Sequence, residues 1–246
     1  MKLFPGLGAL ARRFIIQFHN YPLSMSFLYR EIHTRQFMSK AVSDNAIFFW
    51  DYKDYARYNA RLFSNHIKSN AIPSGRAACL EFGVSTGATT NLLSEALPEY
   101  KLFGFDSFEG FVSVKEGSIW AGFQNRFKNQ QVPKLNDNVE LVTGYVEQTF
   151  PDFAKSKLRD ALALFVHLDL DIYEPTKVVL EWIANANLKA FVMFDEFINY
   201  DEFHLHEYRA FLETIIDRNV PFRVRSLCDR GARDYGQFGK VCVEIR

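Results

Sequence analysis

An acidic residue and two glycines follow a short apolar run in the segment Leu80-Glu81-Phe82-Gly83-Val84-Ser85-Thr86-Gly87-Ala88-Thr89. About twenty residues later a second apolar run ends in another acid, Asp106. Strand, glycine turn, helix, strand and terminal acid is the arrangement that binds a nucleotide-like ligand. The glycines let the backbone approach the ligand, and the final acid can accept hydrogen bonds from two ribose hydroxyls. We therefore expect an adenosine-containing cofactor at this turn.

The glycine pattern indicates which kind of cofactor this is. It is Glu-x-Gly-x-x-x-Gly, whereas dinucleotide enzymes place Gly-x-Gly-x-x-Gly around a pyrophosphate at a helix N-terminus. An acid followed by spaced glycines suits a ligand that lacks phosphate and carries an ammonium group. S-adenosylmethionine is such a ligand, and Glu81 is placed to bind its amino acid end directly or through water.

A second acidic group follows the apolar run that contains Phe165 and Val166. His167, Asp169 and Asp171 alternate along the chain, so they share one face if the strand extends that far. Acids at the carboxyl end of a central strand lie where α/β folds bind ligands.

Two further acids, Asp195 and Glu196, follow the next apolar run. We expect Asp169, Asp195 and Glu196 to converge on one divalent cation, since carboxylate oxygens suit Mg²⁺, Ca²⁺ and Mn²⁺. Clustering three carboxylates without a cation is unfavourable. The alternative is that these acids cap helices or lie solvated in loops.

The elements that must position these residues alternate along the chain. Apolar runs predict seven strands, at 78–82, 101–105, 139–143, 163–169, 190–194, 221–226 and 240–245. Helices fit between them at 89–97, around 122–129, and at 149–154, 175–184 and 206–217. This alternation, with several continuously apolar strands, predicts a doubly wound, mostly parallel α/β sheet with helices on both faces. A loop-like connection at 229–239 suggests that the last two strands form a C-terminal β-hairpin, which is more typical of a methyltransferase sheet than of a dehydrogenase sheet.

Composition bounds the class of protein. The chain has 246 residues, which fits one large domain or a domain with an extension. Its formal net charge is zero, which gives no electrostatic case for nucleic-acid binding. Three scattered cysteines, Cys79, Cys228 and Cys242, are expected to be reduced in a cytoplasmic protein. No apolar run reaches the roughly 18 residues of a membrane span.

The first part of the chain is predicted to be a separate helical region. We place an accessory, lid or dimer-contact region at 1–72 and the cofactor-binding domain at 73–246. Within the first region, Leu10 to Phe18 is apolar but contains Arg12 and Arg13. This segment is expected to pack on the domain or on a second subunit of a homodimer; the alternative is a basic amphipathic helix on a membrane surface.

Five segments together resemble one enzyme family. The segments LEFGVSTGATT, LFGFDSFEGF, GYVEQTFPDF, VHLDLDIYEPT and MFDEF occur in the order and at about the spacing of the macrocin-type (TylF/MycF-like) O-methyltransferases. The resemblance covers about residues 77 to 200. It implies a Rossmann-like class I methyltransferase that uses S-adenosylmethionine, with Mg²⁺, to modify hydroxyl groups of a sugar or another polyhydroxylated small molecule.

The resemblance also implies the site residues. The metal ligands would be Asp169, Asp195 and Glu196, although the family usually has two aspartates where Asp195 and Glu196 stand. The cofactor would contact Glu81, Gly83, Ser85, Gly87, Thr89, Asp106, Ser107, Phe108, Gly144, Tyr145, Val146 and Asp169. The family places a histidine base in the loop after FDSFEG, but the loop at 111–127 has none and offers Lys115, Glu116, Trp120 and Gln124 instead.

Methyl transfer needs an oriented acceptor and a proton acceptor. We expect Asp169, Asp171 and His204 to serve the reaction; His167 and His206 are further candidate bases. A bound cation would lower the pKa of an acceptor hydroxyl and would lessen the need for a strong base. Two alternatives stay open: a nucleotide-linked oxidoreductase or sugar-modifying enzyme, and a methyltransferase fold that has become a binding module.

Overall fold

The computed structural model describes residues 23–112, 114, 118–123, 127–198, 200, 202–228 and 239–246, with side chains from residue 32 onward. The predicted amphipathic segment at Leu10–Phe18 and the loop residues Lys115, Glu116 and Gln124 lie outside these ranges, as does most of the predicted loop at 229–239. None of the helices in the described ranges combines the length and apolar composition that crossing a membrane requires.

Within the described residues, eight strands form one mixed sheet in the order β1-β7-β8-β6-β5-β2-β3-β4. The strands are β1 (Ile47–Phe49), β2 (Ala77–Phe82), β3 (Leu102–Asp106), β4 (Val139–Thr143), β5 (Ala163–Leu168), β6 (Lys189–Ile198), β7 (Phe222–Cys228) and β8 (Gly239–Ile245). The helices are α1 (Leu23–Ser43), α2 (Tyr52–Ser69), α3 (Ala88–Ala96), α4 (Val146–Lys157), α5 (Tyr173–Asn185) and α6 (Glu207–Phe211), which continues as a π-helical turn over Leu212–Ile216.

The predicted fold class is confirmed. Strands β2 to β6 pair in parallel, and β8 pairs antiparallel with both β6 and β7. The last strand, β8, therefore lies between β6 and β7 in the sheet. The chain has a Rossmann-like sheet that ends in a C-terminal antiparallel pair.

Alternate residues of the central strands build two separate cores. On β5, Leu164 and Val166 belong to the core that contains α4 and α5, whereas Ala163 and Phe165 belong to the core that contains α2 and α3. A period of two places successive side chains on opposite faces. Because both faces are covered by helices, each strand can be apolar along its whole length.

The structure corrects three details of the predicted elements. An eighth strand, β1, pairs in parallel with β7, in a stretch for which the sequence predicted helix. The helix expected around 122–129 is, in the described residues, a short 3₁₀ turn at Ile119–Gly122. Strand β6 extends to Ile198, so Asp195 and Glu196 lie inside this strand and not after it.

The described part of the predicted accessory region packs on the sheet. The ring of Phe63 on α2 lies 5.8 Å from that of Phe165 and 6.0 Å from that of Phe191. Tyr55 and Phe63 are fully buried. The boundary at residue 72, and a lid or dimer-contact role for this region, stay predictions.

Candidate functional site

A pocket of about 360 Å³ opens at the carboxyl ends of the parallel strands, where α/β sheets bind their ligands. Its volume falls in the range that small-molecule sites have. Among its lining residues are Gly83 and Ser85 of the glycine turn, Asp106 at the end of β3, and Asp169 after β5. The glycine turn and the acidic edge predicted from the sequence thus meet in one cavity.

Asp106 fixes the glycine turn to the end of β3. Its Oδ2 accepts hydrogen bonds from the backbone N–H groups of Val84 at 2.9 Å and Ser85 at 2.7 Å. Its Oδ1 accepts from Phe108 N–H at 2.7 Å. A carboxylate offers about four acceptor positions, so one remains for a ligand hydroxyl. Asp106 therefore has a structural task besides the ribose contact predicted from the sequence.

Gly83 is required by a close backbone approach. It adopts φ +93°, and a Cβ added there would lie 1.9 Å from the carbonyl oxygen of Asp169. The backbone N–H of Asp169 donates to Phe82 O at 2.9 Å. The glycine turn and the acidic edge are therefore in direct backbone contact, which any side chain at position 83 would break.

Three carboxylates gather at the acidic edge of the pocket. One oxygen each from Asp169, Asp171 and Glu196 lies within 4.8 Å of the others, and all three residues line the pocket. Burial, and then the charge of Asp195, raises the pKa of Asp169 and Glu196 well above the usual range. Burial raises the pKa of Asp171 to about 7. Without a cation, these groups resist being ionised together.

Asp195 belongs to a second group at this edge, since one ligand atom each from His167, Asp169 and Asp195 lies within 4.8 Å of the others. Its Oδ2 forms an ion pair with the ammonium of Lys240, and Lys240 Nζ also donates to the carbonyl oxygen of Asp195 at 3.2 Å. Burial opposes ionisation, but the charge of Lys240 and the contact with His167 outweigh it and lower the pKa of Asp195 below its usual range. The carboxylate is thus already neutralised by protein groups.

Glu81 and His167 form a buried pair behind the pocket. His167 Nδ1 lies 3.0 Å from Glu81 Oε1, and His167 Nε2 lies 3.2 Å from the Tyr52 hydroxyl and 3.7 Å from Asp195 Oδ1. Burial disfavours the charged ring, but its contacts with Asp195 and Glu81 prevail and raise the pKa of His167 to about 10. His167 is therefore a charged partner of two carboxylates, and a poor general base.

The structure brings most of the predicted cofactor residues to the pocket, but not all of them. The predicted residues that line it are Gly83, Ser85, Asp106, Ser107, Gly144, Tyr145, Val146 and Asp169. Glu81, Gly87, Thr89 and Phe108 are not among its lining residues. The Glu81 side chain is fully buried, so its contact with the amino acid end of a cofactor stays a prediction.

The candidate bases from the sequence lie at different depths. Asp169 and Asp171 line the pocket, whereas His204 is buried beside Phe203 and is not a lining residue. The ring of His206 lies 6.2 Å from that of Trp120, which does line the pocket. Neither histidine is among the residues that line this cavity, so a catalytic role for His204 or His206 stays a prediction.

Four residues that the sequence did not single out support the site. Glu202 Oε2 accepts from the Ser118 hydroxyl at 3.0 Å and from Ile119 N–H at 3.2 Å, which holds the turn that carries Trp120. Glu207 Oε1 accepts from Leu170 N–H at 3.3 Å, between the two aspartates. The other two are Tyr52 and Lys240. No motif marks them, because each contacts a segment that lies between 37 and 115 residues away in the chain.

No family model matches the chain, and no curated protein matches it. Solved structures with a similar arrangement include precorrin-6y C5,15-methyltransferase from Geobacter metallireducens, which is 10% identical over 76% of this chain and 86% of that chain with a TM-score of 0.39. Another is the N-terminal domain of EvdMO1 with SAH (S-adenosylhomocysteine) bound, which is 15% identical over 76% of this chain and 80% of that chain with a TM-score of 0.40. A third is the plantazolicin methyltransferase BpumL in complex with SAH, which is 12% identical over 79% of this chain and 85% of that chain with a TM-score of 0.41. Two of the three are methyltransferases by name and two hold SAH, but identities and TM-scores this low assign no activity to this chain.

Proposed function

We propose that this chain is an S-adenosylmethionine-dependent methyltransferase that acts on a hydroxyl oxygen of a small molecule. One observation carries the proposal. The glycine turn, the acid after β3 and the acidic edge after β5 line a single pocket. A methyl donor and a proton acceptor must be adjacent for this reaction, and this pocket supplies a place for both.

The charge of the pocket favours this cofactor over a dinucleotide. Every charged residue among the described lining residues is acidic: Asp106, Glu147, Asp169, Asp171 and Glu196. Such a lining disfavours a pyrophosphate and favours the positive sulfonium and ammonium groups of S-adenosylmethionine. Asp106 would accept a ribose hydroxyl at its remaining acceptor position, while Ser85, Ser107 and the Gly144–Val146 segment would contact the rest of the cofactor.

The reaction is a displacement at the sulfonium methyl. The acceptor oxygen forms a bond to the methyl carbon, the carbon–sulfur bond breaks, and its electron pair stays on the sulfur of the product S-adenosylhomocysteine. The acceptor also loses its proton, and Asp169 and Asp171 are the carboxylates placed to receive it. A divalent cation held by the acidic edge would lower the pKa of the acceptor hydroxyl. The donor set fits a cation, since Glu196 Oε2 is buried without a hydrogen-bond partner.

The acceptor is proposed to be a sugar or another polyhydroxylated molecule. Aromatic side chains of Phe111, Trp120, Phe123 and Phe127 line the same cavity as the carboxylates. Flat apolar rings suit the carbon faces of a sugar ring, while carboxylates suit its hydroxyls. The segments that resemble the macrocin-type enzymes support the same class of acceptor.

The proposal is tested by methyl transfer from radiolabelled S-adenosylmethionine to a panel of glycosides, polyols and amines, in the presence of Mg²⁺. We expect label in at least one acceptor, and its loss in Asp169→Asn. The exposed Asp137→Asn is the matched control and should retain the activity. Transfer that Asp169→Asn does not reduce would contradict the proposed site, and transfer to amines alone would contradict the choice of oxygen.

A further inference from the structure

Trp120 joins two segments that are far apart in the chain. Its ring lies 6.4 Å from that of Phe111 and 5.7 Å from that of Phe123, and all three residues line the pocket. The rings of Tyr200 and His206, in the segment after β6, lie 6.5 Å and 6.2 Å from the Trp120 ring. Trp120 is buried by these neighbours. Its position in the pocket wall therefore depends on the segment after β6 as well as on its own turn.

One carboxylate oxygen of Glu202 connects the turn of Trp120 to the segment after β6. Glu202 Oε2 accepts hydrogen bonds from the Ser118 hydroxyl at 3.0 Å and from Ile119 N–H at 3.2 Å. His206 Nε2 lies 3.5 Å from the same oxygen. The Ser118 hydroxyl oxygen in turn accepts from Trp120 N–H at 3.4 Å. Because hydrogen bonds to a charged oxygen are stronger than those between neutral groups, Glu202 fixes the backbone immediately before Trp120.

The backbone of Glu202 is itself held in an uncommon conformation. Its φ is +68°, in the left-handed region that residues other than glycine, asparagine and aspartate rarely adopt. Its carbonyl oxygen accepts from Leu205 N–H at 2.7 Å, across the 3₁₀ helix Phe203–Leu205, in which Phe203 is fully buried. Such a conformation persists only where its surroundings hold it. The Glu202 carboxylate is thus presented to the Trp120 turn from a fixed base.

The aromatic ring that Glu202 holds belongs to the part of the cavity that suits the methyl acceptor. Trp120 lines the same cavity as Asp169 and Asp171, the carboxylates placed to receive the acceptor proton. A flat ring suits the carbon face of a sugar, and a ring that is fixed before binding costs less conformational entropy when the ligand binds. Glu202 is not among the lining residues, so any effect it has on the acceptor acts through Trp120.

We propose that Glu202 is a positioning residue for the methyl acceptor: it holds Trp120 in the pocket wall, where the Trp120 ring packs against the flat apolar face of the acceptor. The inference rests on the proposed function and adds to it the residues that set acceptor affinity. The cofactor is proposed to lie at the glycine turn and Asp106, so cofactor affinity should not depend on Glu202.

Fluorescence of Trp120 tests the positioning step without any activity. The chain has three tryptophans, so the background Trp50→Phe/Trp182→Phe leaves Trp120 alone. In this background Glu202→Ala should shift the emission to longer wavelength and increase quenching by acrylamide. Glu202→Gln keeps an acceptor oxygen and should restore the parent emission, and the exposed Glu95→Ala is the matched control. Unchanged emission in Glu202→Ala, with circular dichroism showing a folded chain, would overturn the proposal.

Acceptor kinetics test the specificity step, with an acceptor identified by the transfer of radiolabel. Glu202→Ala should raise the KM for this acceptor about tenfold, while kcat and the affinity for S-adenosylhomocysteine change by no more than about twofold. Trp120→Ala should raise KM at least as much. Adding Glu202→Ala to Trp120→Ala should add little, because both changes remove one contact.

The outcomes separate this inference from the proposed function. An unchanged acceptor KM in Glu202→Ala, or fully additive effects in the double variant with Trp120→Ala, would overturn the inference and leave the methyltransferase proposal standing. No methyl transfer by the parent would overturn the proposed function and the acceptor role together. The fluorescence comparison would then still decide whether Glu202 holds Trp120.

Discussion

Lys240 on β8 pairs with Asp195 on β6, and this contact joins the last strand of the chain to the strand that carries both acids. The side chains of Lys240 and Asp195 are 12% and 16% exposed, so the pair is mostly buried. Burial opposes ionisation of Asp195, but the charge of Lys240 and the contact with His167 lower its pKa, whereas the pKa values of Asp169, Asp171 and Glu196 are raised. The pair is thus a structural element of the site.

Removing one partner of this pair should destabilise the fold. Lys240→Met leaves the Asp195 carboxylate buried without its counter-ion, and we expect a loss of about 3 kcal/mol in the free energy of unfolding. Urea denaturation measures it. The exposed ion pair between Lys155 and Asp152 gives the control, since Lys155→Met should change stability little. Equal losses in the two variants would contradict a special role for the buried pair.

Gly83 should tolerate no side chain. A Cβ there would lie 1.9 Å from Asp169 O, at φ +93°, so Gly83→Ala should cost at least about 3 kcal/mol through steric overlap and strain. Gly75 is the matched control because nothing lies within 4 Å of its added Cβ. Gly75→Ala should stay within about 1 kcal/mol of the parent. Thermal or urea unfolding of both variants makes the comparison, and a mild effect at Gly83 would show that the close approach is wrong.

Asp106→Asn should affect both stability and cofactor binding. The carboxylate accepts three backbone N–H groups, and an amide nitrogen at either oxygen position would face a donor. We expect a loss of about 1–3 kcal/mol in stability and at least a tenfold weaker affinity for S-adenosylhomocysteine. Unchanged affinity in a folded variant would remove Asp106 from the cofactor site. Asp137→Asn serves as the exposed control.

The buried His167 should make stability depend on pH. Its pKa is raised from 6.5 to about 10, so between these values the folded state holds one proton more than the unfolded state. The stabilisation is therefore complete below pH 6.5 and is lost as the pH rises through about 10. The stability difference between the parent and His167→Gln should shrink by about 1 kcal/mol per pH unit from pH 7 to 9. Urea denaturation at each pH checks this; a constant difference would mean that His167 is neutral in the folded state.

Local patterns predicted the sheet but not the contacts between distant segments. The seven predicted strands are present, and central ones such as β5 are continuous apolar runs that need cover on both faces. Strand β1 was missed because it has only three residues and depends on β7, which follows about 180 residues later in the chain. The ion pair of Lys240 with Asp195 was missed for a related reason: it exists only because β8 inserts between β6 and β7.

In the candidate site, too, local patterns predicted some features and missed others. The acids at the ends of β3 and β5 were predicted to line a ligand site, and the spacing after each strand was sufficient to find them. The joint role predicted for Asp195 and Glu196 assumed that both follow the strand. Strand β6 in fact continues through both residues, and sequence spacing alone does not show where a strand ends; their joint role as metal ligands stays a prediction.

Calorimetric titration of the purified chain with S-adenosylhomocysteine, with and without Mg²⁺, tests the central claim most directly. NAD is the control ligand, since the acidic lining of the pocket should reject its pyrophosphate. The proposed function predicts micromolar binding of S-adenosylhomocysteine, weakened in Asp106→Asn, and no binding of NAD. Binding of NAD in preference to S-adenosylhomocysteine, or no binding of S-adenosylhomocysteine in either condition, would contradict it.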